Sequence, residues 1–152
     1  MTMYERLTER ALRVVFSARQ AVSEFGSDTV DPEHLFMGLL QEEGGFCQQI
    51  LRTWRDVLEN EVRSQLVSTG KIIPQNVEVR FGSAAKRVLQ FAEKEADRLH
   101  HTRISDGHIL LGLMSEEKSP VCTILMRRDL FIDETRAALI NFMGNSSKES
   151  NE

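Results

Sequence analysis

Between Thr8 and Gly26 the apolar residues Ala11, Val14, Val15, Ala18, Val22 and Phe25 recur at three- and four-residue steps. That spacing lays them on one face of a helix. Thr8 supplies a start signal, because its side chain can accept from a first-turn N–H, and Gly26 supplies a stop. A second helix is predicted from Asp31-Pro32, a cap followed by a proline at the first helical position, through Leu40. Its apolar run is nearly continuous, so it is expected to be buried on most sides. Gly44-Gly45 ends that segment. A third helix follows over about Phe46 to Trp54 and a fourth over about Val57 to Ser68, with Leu58, Val62 and Leu66 on one face.

The same pattern then runs a second time. Shifted by 74 residues, the chain matches itself without a gap. Ala11 meets Ala85, Arg13 meets Arg87, Val14 meets Val88, His34 meets His108, Gly38-Leu39 meets Gly112-Leu113, and Glu42-Glu43 meets Glu116-Glu117. The first helix returns as Ala85, Val88, Ala92, Ala96 and Leu99, with Ser83 as its candidate cap. Ser119-Pro120 opens the third, and the fourth starts near Asp133 and runs to Gly144. Gly38 and Gly112 sit inside helices, where glycine costs about 0.5–1 kcal/mol against alanine. Close helix–helix approach is the expected return. The prediction is an all-α fold of two tandem pseudo-two-fold four-helix repeats, about eight helices. Repeat one covers about 7–70, a linker 71–80, and repeat two about 81–144. Residues 145–152 form a polar tail without apolar residues, expected to be disordered. Two copies are too few for a solenoid, so each is expected to cover the other's apolar face.

A chain of 152 residues with 41% hydrophobic and 28% charged residues has enough core to need no disulfide or metal. The net charge of −4 argues against a nucleic-acid partner, which requires a basic face. A helical DNA-binding regulator is thereby disfavoured. Cys47 and Cys122 lie apart on apolar segments, outside any zinc-type spacing, and are read as core residues. No apolar stretch approaches the roughly 20 residues of a membrane span, and the start of the chain has no apolar signal core. The expectation is a cytoplasmic protein without cofactor, metal or membrane association.

Leu7-Thr8-Glu9-Arg10-Ala11, then Gly26, then Glu33-His34-Leu35-Phe36-Met37-Gly38-Leu39-Leu40, resembles the F-T-E-R-A … G-T-E-H-L-L-L-G-L pattern of Clp/Hsp100 N-terminal domains. His108-Ile109-Leu110-Leu111-Gly112-Leu113 repeats it. The ClpC type is the most similar, through T-E-R-A and the Glu-His pair. The resemblance implies a non-catalytic domain that docks adaptors and unfolded substrate proteins onto an ATP-dependent unfoldase serving the Clp protease. A G-x-x-x-x-G-K-[ST] phosphate loop does not occur in these residues. The alternative is a stand-alone regulatory protein of the same fold that docks on a Clp chaperone or protease.

ClpC-type domains bind phosphoarginine, and the resemblance carries that pocket onto Thr8 and Glu33. A carboxylate suits the guanidinium, and a helix N-terminus with a hydroxyl suits the phosphate. The alternative, a plain N-cap at Thr8 and a first-turn acid at Glu33, stays open. Gly82 and Gly107 stand at the matching positions of repeat two, so that pocket is expected to be lost. Asp106 and Ser83 are each one residue off. His34 and His108 are read as hydrogen-bonded core histidines, His100-His101 as a polar turn, and the Glu42-Glu43 and Glu116-Glu117 pairs as solvated helix ends.

Overall fold

The computed structural model describes residues 2–66 and 79–150, with side chains through 144. A single turn, α1 (Met3–Arg6), precedes the first repeat. That repeat comprises α2 (Glu9–Phe25), the two-residue strand β1 (Thr29–Val30), α3 (Pro32–Gln41), α4 (Gly45–Leu51), a 3-10 turn at Arg52–Trp54, and α5 (Arg55–Gln65). The second comprises β2 (Arg80–Phe81), α6 (Ser83–Arg98), α7 (Asp106–Ser115), α8 (Pro120–Arg127) and α9 (Ile132–Ser150). The all-α expectation holds: sheet among the described residues amounts to the short β1–β2 pair and one bridge.

Local chemistry sets most boundaries. Thr8 Oγ1 accepts from the Ala11 N–H at 3.1 Å, and Gly26 ends α2 at φ 69°, the left-handed conformation that favours glycine. Asp31 and Ser105 precede α3 and α7, and in each the N–H is capped by the imidazole Nδ1 three residues on, His34 or His108, at 2.9 Å. Four details depart from the sequence reading. α6 begins at Ser83 with Gly82 in the capping position, so Ser83 is not the cap. α3 stops at Gln41, and Gly44, at φ 78°, starts α4 rather than ending α3. The third helix breaks into α4 and the 3-10 turn. α9 continues through Ser150, past Gly144, because the polar stretch brings no proline to stop it. Of the expected linker, residues 71–78 lie outside the described residues, as do 67–70 of repeat one.

Packing follows the repeat. In each copy the first helix lies against the second, and the interior glycine marks the closest approach. A Cβ on Gly38 would collide with the Val14 carbonyl oxygen, and one on Gly112 with the Val88 carbonyl oxygen. The expected return on two costly helix glycines is therefore real. α3 and α7 are the centre. Leu35, Phe36, Leu39, Ile109, Leu110, Leu111 and Leu113 are all essentially fully buried, and each helix also touches the other copy. A core this continuous supplies the main driving force, at about 25 cal/mol per Å² of apolar surface removed from water.

The copies are stitched together reciprocally. β1 and β2 pair in parallel, with Val30 opposite Phe81. The related positions, Ile104 and Leu7, form a parallel bridge. Thr8 N–H donates to Ile104 O at 3.0 Å and Gly82 N–H donates to Val30 O at 2.9 Å. The entry to each repeat's first helix is thus hydrogen-bonded to the loop before the other repeat's second helix. That exchange creates two junctions, where the candidate residues fall.

Candidate functional site

The first junction joins the start of α2 to the loop before α7. Thr8 is half-buried there and committed to capping and to the bond with Ile104. Gly107 lies three residues past Ile104 and is packed shut. A Cβ on it would fall 2.5 Å from Leu139 Cδ1 and 3.1 Å from Phe46 Cδ2. Asp106 is 4% exposed, and its Oδ2 accepts from Cys47 N–H at 3.1 Å. The Cys47 thiol donates to the Asp106 carbonyl at 3.4 Å. Burial first, then the Asp106 charge, pushes that thiol well above its usual range. Asp106 is thus spent on holding α4, and the position matching Glu33 offers no carboxylate here.

The second junction joins the start of α6 to the loop before α3, and it is built differently. Gly82 brings no side chain to cap α6. A Cβ there would lie 2.7 Å from Asp31 Oδ1. Two residues past Asp31 is Glu33, half-buried, its carboxylate hydrogen-bonded to its own backbone N–H and without an ion-pair partner among the described residues. Burial, then the neighbouring Asp31 charge, raises its carboxyl above the usual range. An unpaired, partly desolvated acid beside an uncapped helix start is an arrangement suited to a cationic group.

The two sequence-predicted residues therefore do not meet. Arg13 of α2 reaches Glu42 at the end of α3, and Arg10 lies against Gly45, so the Thr8 end of α2 adjoins the C-terminal end of α3. Glu33 is at the opposite end of α3, about 12 Å of helix away at 1.5 Å per residue. Thr8 belongs to the junction that holds Gly107 and Glu33 to the one that holds Gly82, so each junction keeps one member of the expected pair. The surroundings of Glu33 were hidden because repeat spacing does not say which copy a residue lies beside.

Two other readings need correction. The Glu42 side chain is 9% exposed and that of Glu116 is 7% exposed, so neither is a solvated helix end. Arg13 Nη2 holds Glu42 at 3.0 Å, and Arg87 Nε holds Glu116 at 2.6 Å. Both pairs tie a first helix to the end of a second at matching positions. Glu43 and Glu117 remain exposed. His101 does more than fill a turn. Its Nδ1 lies 2.9 Å from His108 Nε2, and burial lowers the pKa of His108 to about 4, with the His101 charge adding to the effect. His34 Nε2, at the matching place, is buried without a partner among the described residues. Cys47 and Cys122 are free and buried, as read from the sequence. Among the described residues no group of three potential ligands could hold a metal ion, and no helix is long and apolar enough to cross a membrane.

Comparison with known proteins places this architecture. Residues 6–127 match the family model of the Clp repeat (R) N-terminal domain. An ATP-dependent Clp protease ATP-binding subunit ClpC from Staphylococcus saprophyticus is 30% identical over 143 residues, 94% of this chain. The chain spans 17% of that relative's length. The N-terminal domain of the chaperone ClpD from Arabidopsis thaliana superposes with a TM-score of 0.72 at 23% identity, covering 94% of this chain and 97% of that one. The Hsp104 N-terminal domain from Candida albicans gives 0.66 at 22% identity, with 91% of each chain covered. With the duplicated helical unit, the exchanged junctions and the matched sequence together, the chain belongs to the Clp repeat N-terminal domain family, with ClpC as its matched relative.

Proposed function

We propose that this chain is the docking domain of a ClpC-like Hsp100 unfoldase. It binds adaptors and unfolded substrate proteins and passes them to an ATPase and the Clp protease, catalysing nothing itself. The family match and the ClpC relative support this reading. The acidic balance fits a protein-binding role better than a nucleic-acid one.

The observation that carries a finer reading is the second junction. There Glu33 would take the guanidinium of a phosphoarginine side chain, and the first-turn N–H groups of α6, with the Ser83 hydroxyl beside them, would take the phosphate. Thr8, at the other junction, has no part in it. Asp31 stands at the same helix start and competes with phosphate for that place, so unphosphorylated arginine is the deciding comparison.

Titration with an arginine-phosphorylated unfolded protein and with its unphosphorylated form tests the reading. Glu33→Ala abolishes binding of the phosphorylated form and leaves the melting temperature nearly unchanged. Thr8→Ala leaves binding intact and lowers stability by about 1 kcal/mol through loss of the cap. Equal affinity of the Glu33 variant, or a preference for the unphosphorylated protein, removes phosphoarginine from the junction. No binding of either form by the folded domain removes the docking role.

A further inference from the structure

Repeat one holds a cleft beside the first junction, with which it shares Cys47. Leu39, Leu40, Cys47 and Leu51, each no more than 3% exposed, make its floor, and Gln48, Arg52 and Arg55 make its rim. Its empty volume is ≈ 300 Å³, part of it open to solvent. With open solvent counted in that volume, the cleft is a shallow depression with room for one inserted side chain rather than a whole small molecule.

The cleft's charge is one-sided. Glu42 lines it, but that carboxylate is already held by Arg13 at 3.0 Å, with Arg10 Nε 3.7 Å away. Arg55 donates from Nε to Leu40 O at 2.8 Å, which fixes its stem over the rim. Its Nη1 touches Asp56, whose side chain is 90% exposed. Arg52 is exposed and has no acid partner among the described residues. An apolar floor thus sits under two guanidinium groups, on a chain of net charge −4.

The fold does not require this arrangement, because repeat two builds the same element differently. At the position of Arg52 it has Met126, whose Sδ lies 3.9 Å from the Cys122 sulfur, itself at the position of Gln48. At the position of Arg55 it has Asp129. The cationic rim belongs to repeat one alone.

We propose that this cleft is a peptide-docking site for a partner protein. It takes one aliphatic side chain flanked by carboxylates, the chain of the residue in the floor and the acids on Arg52 and Arg55. A charge-assisted hydrogen bond at each arginine supplies orientation, and burial of the aliphatic group supplies contact. The proposal rests on the protein-docking reading above but not on Glu33 or phosphoarginine.

The chain's single tryptophan, Trp54, lies between the two rim arginines in sequence and reports binding by its fluorescence. Amide shifts in a nitrogen–proton correlation spectrum place the site. Three capped pentapeptides serve as probes: Gly-Asp-Leu-Asp-Gly, the same with Ala for Leu, and the same with Lys for both Asp. The acidic leucine peptide shifts the amides of residues 48–55 and binds about tenfold more tightly than either of the other two. Arg52→Glu weakens it by about tenfold or more. Arg127→Glu, which alters the net charge equally at an exposed arginine outside the cleft, leaves it within about twofold. Glu33→Ala leaves it unchanged, whatever becomes of phosphoarginine binding. Three results overturn the proposal: equal binding of the alanine or lysine peptide, equal loss in both arginine variants, or shifts confined to other residues. If arginine-phosphorylated protein binds while the acidic leucine peptide does not, the cleft fails and the docking reading stands.

Discussion

The two repeats solve one packing problem in two ways, and exchanging the solutions tests how the second is held. Glu95 of α6 is 6% exposed and accepts two bonds from Arg136 of α9, Nε to Oε2 at 3.0 Å and Nη2 to Oε1 at 2.7 Å. At the related positions repeat one carries Ala21 and Val62, both buried. Glu95→Ala strands the guanidinium. Removing one partner of a fully buried pair costs about 3–5 kcal/mol. Here the Arg136 side chain is 20% exposed and keeps Asp133 at 3.0 Å, so the loss is set lower, at about 2 kcal/mol. For a chain of this size that lowers the melting temperature by about 4–8 °C. The double variant Glu95→Ala/Arg136→Val installs the solution of repeat one. It returns to within about 1 kcal/mol of the parent, because an apolar replacement of a buried pair is commonly neutral or better. Urea unfolding of the parent, both single variants and the double variant measures the coupling. A double variant as unstable as the sum of the two singles would show that the ion pair has no compensating relation, and the reasoning would fail.

Two further outcomes follow from the same coordinates. Gly112→Ala places a methyl group against the Val88 carbonyl and forces α6 and α7 apart, at a cost of about 1–3 kcal/mol. Gly144→Ala, which meets nothing within 4 Å, is the control and leaves the unfolding midpoint unchanged or raised. Stability also falls as pH drops. His108 has its pKa lowered to about 4 in the fold, against 6.5 for an ordinary imidazole, so the unfolded chain takes up a proton first. The stability is full above about pH 6.5 and is lost toward pH 4, with His34 and His101 shifted the same way. From about pH 4.5 downward the Glu95 carboxyl, held down chiefly by its bond from Arg136, adds a further loss. Unfolding midpoints measured between pH 7.5 and 4 check this, and a flat profile refutes it.

The helices and their caps were legible because each is decided within a few residues. Thr8, Gly26, Asp31 and Pro32 act on their own turn, and the 74-residue self-match needs no coordinates. Both conserved-in-copy ion pairs also left a trace, since Arg13 and Glu42 recur together as Arg87 and Glu116. The Glu95–Arg136 pair left another, two positions that change from apolar to charged in the same copy. What the chain could not declare alone was which copy each group faces. A repeat spacing is the same whether an element closes on its own copy or reaches across to the other. Only the packing of α2 on α3, with Arg13 on Glu42, put Thr8 and Glu33 at opposite ends of α3, and only the exchange through Thr8 to Ile104 and Gly82 to Val30 gave each junction its second copy. The burial of Glu42 and the arginine rim of the cleft were settled likewise, because the depth of a side chain depends on neighbours remote in sequence.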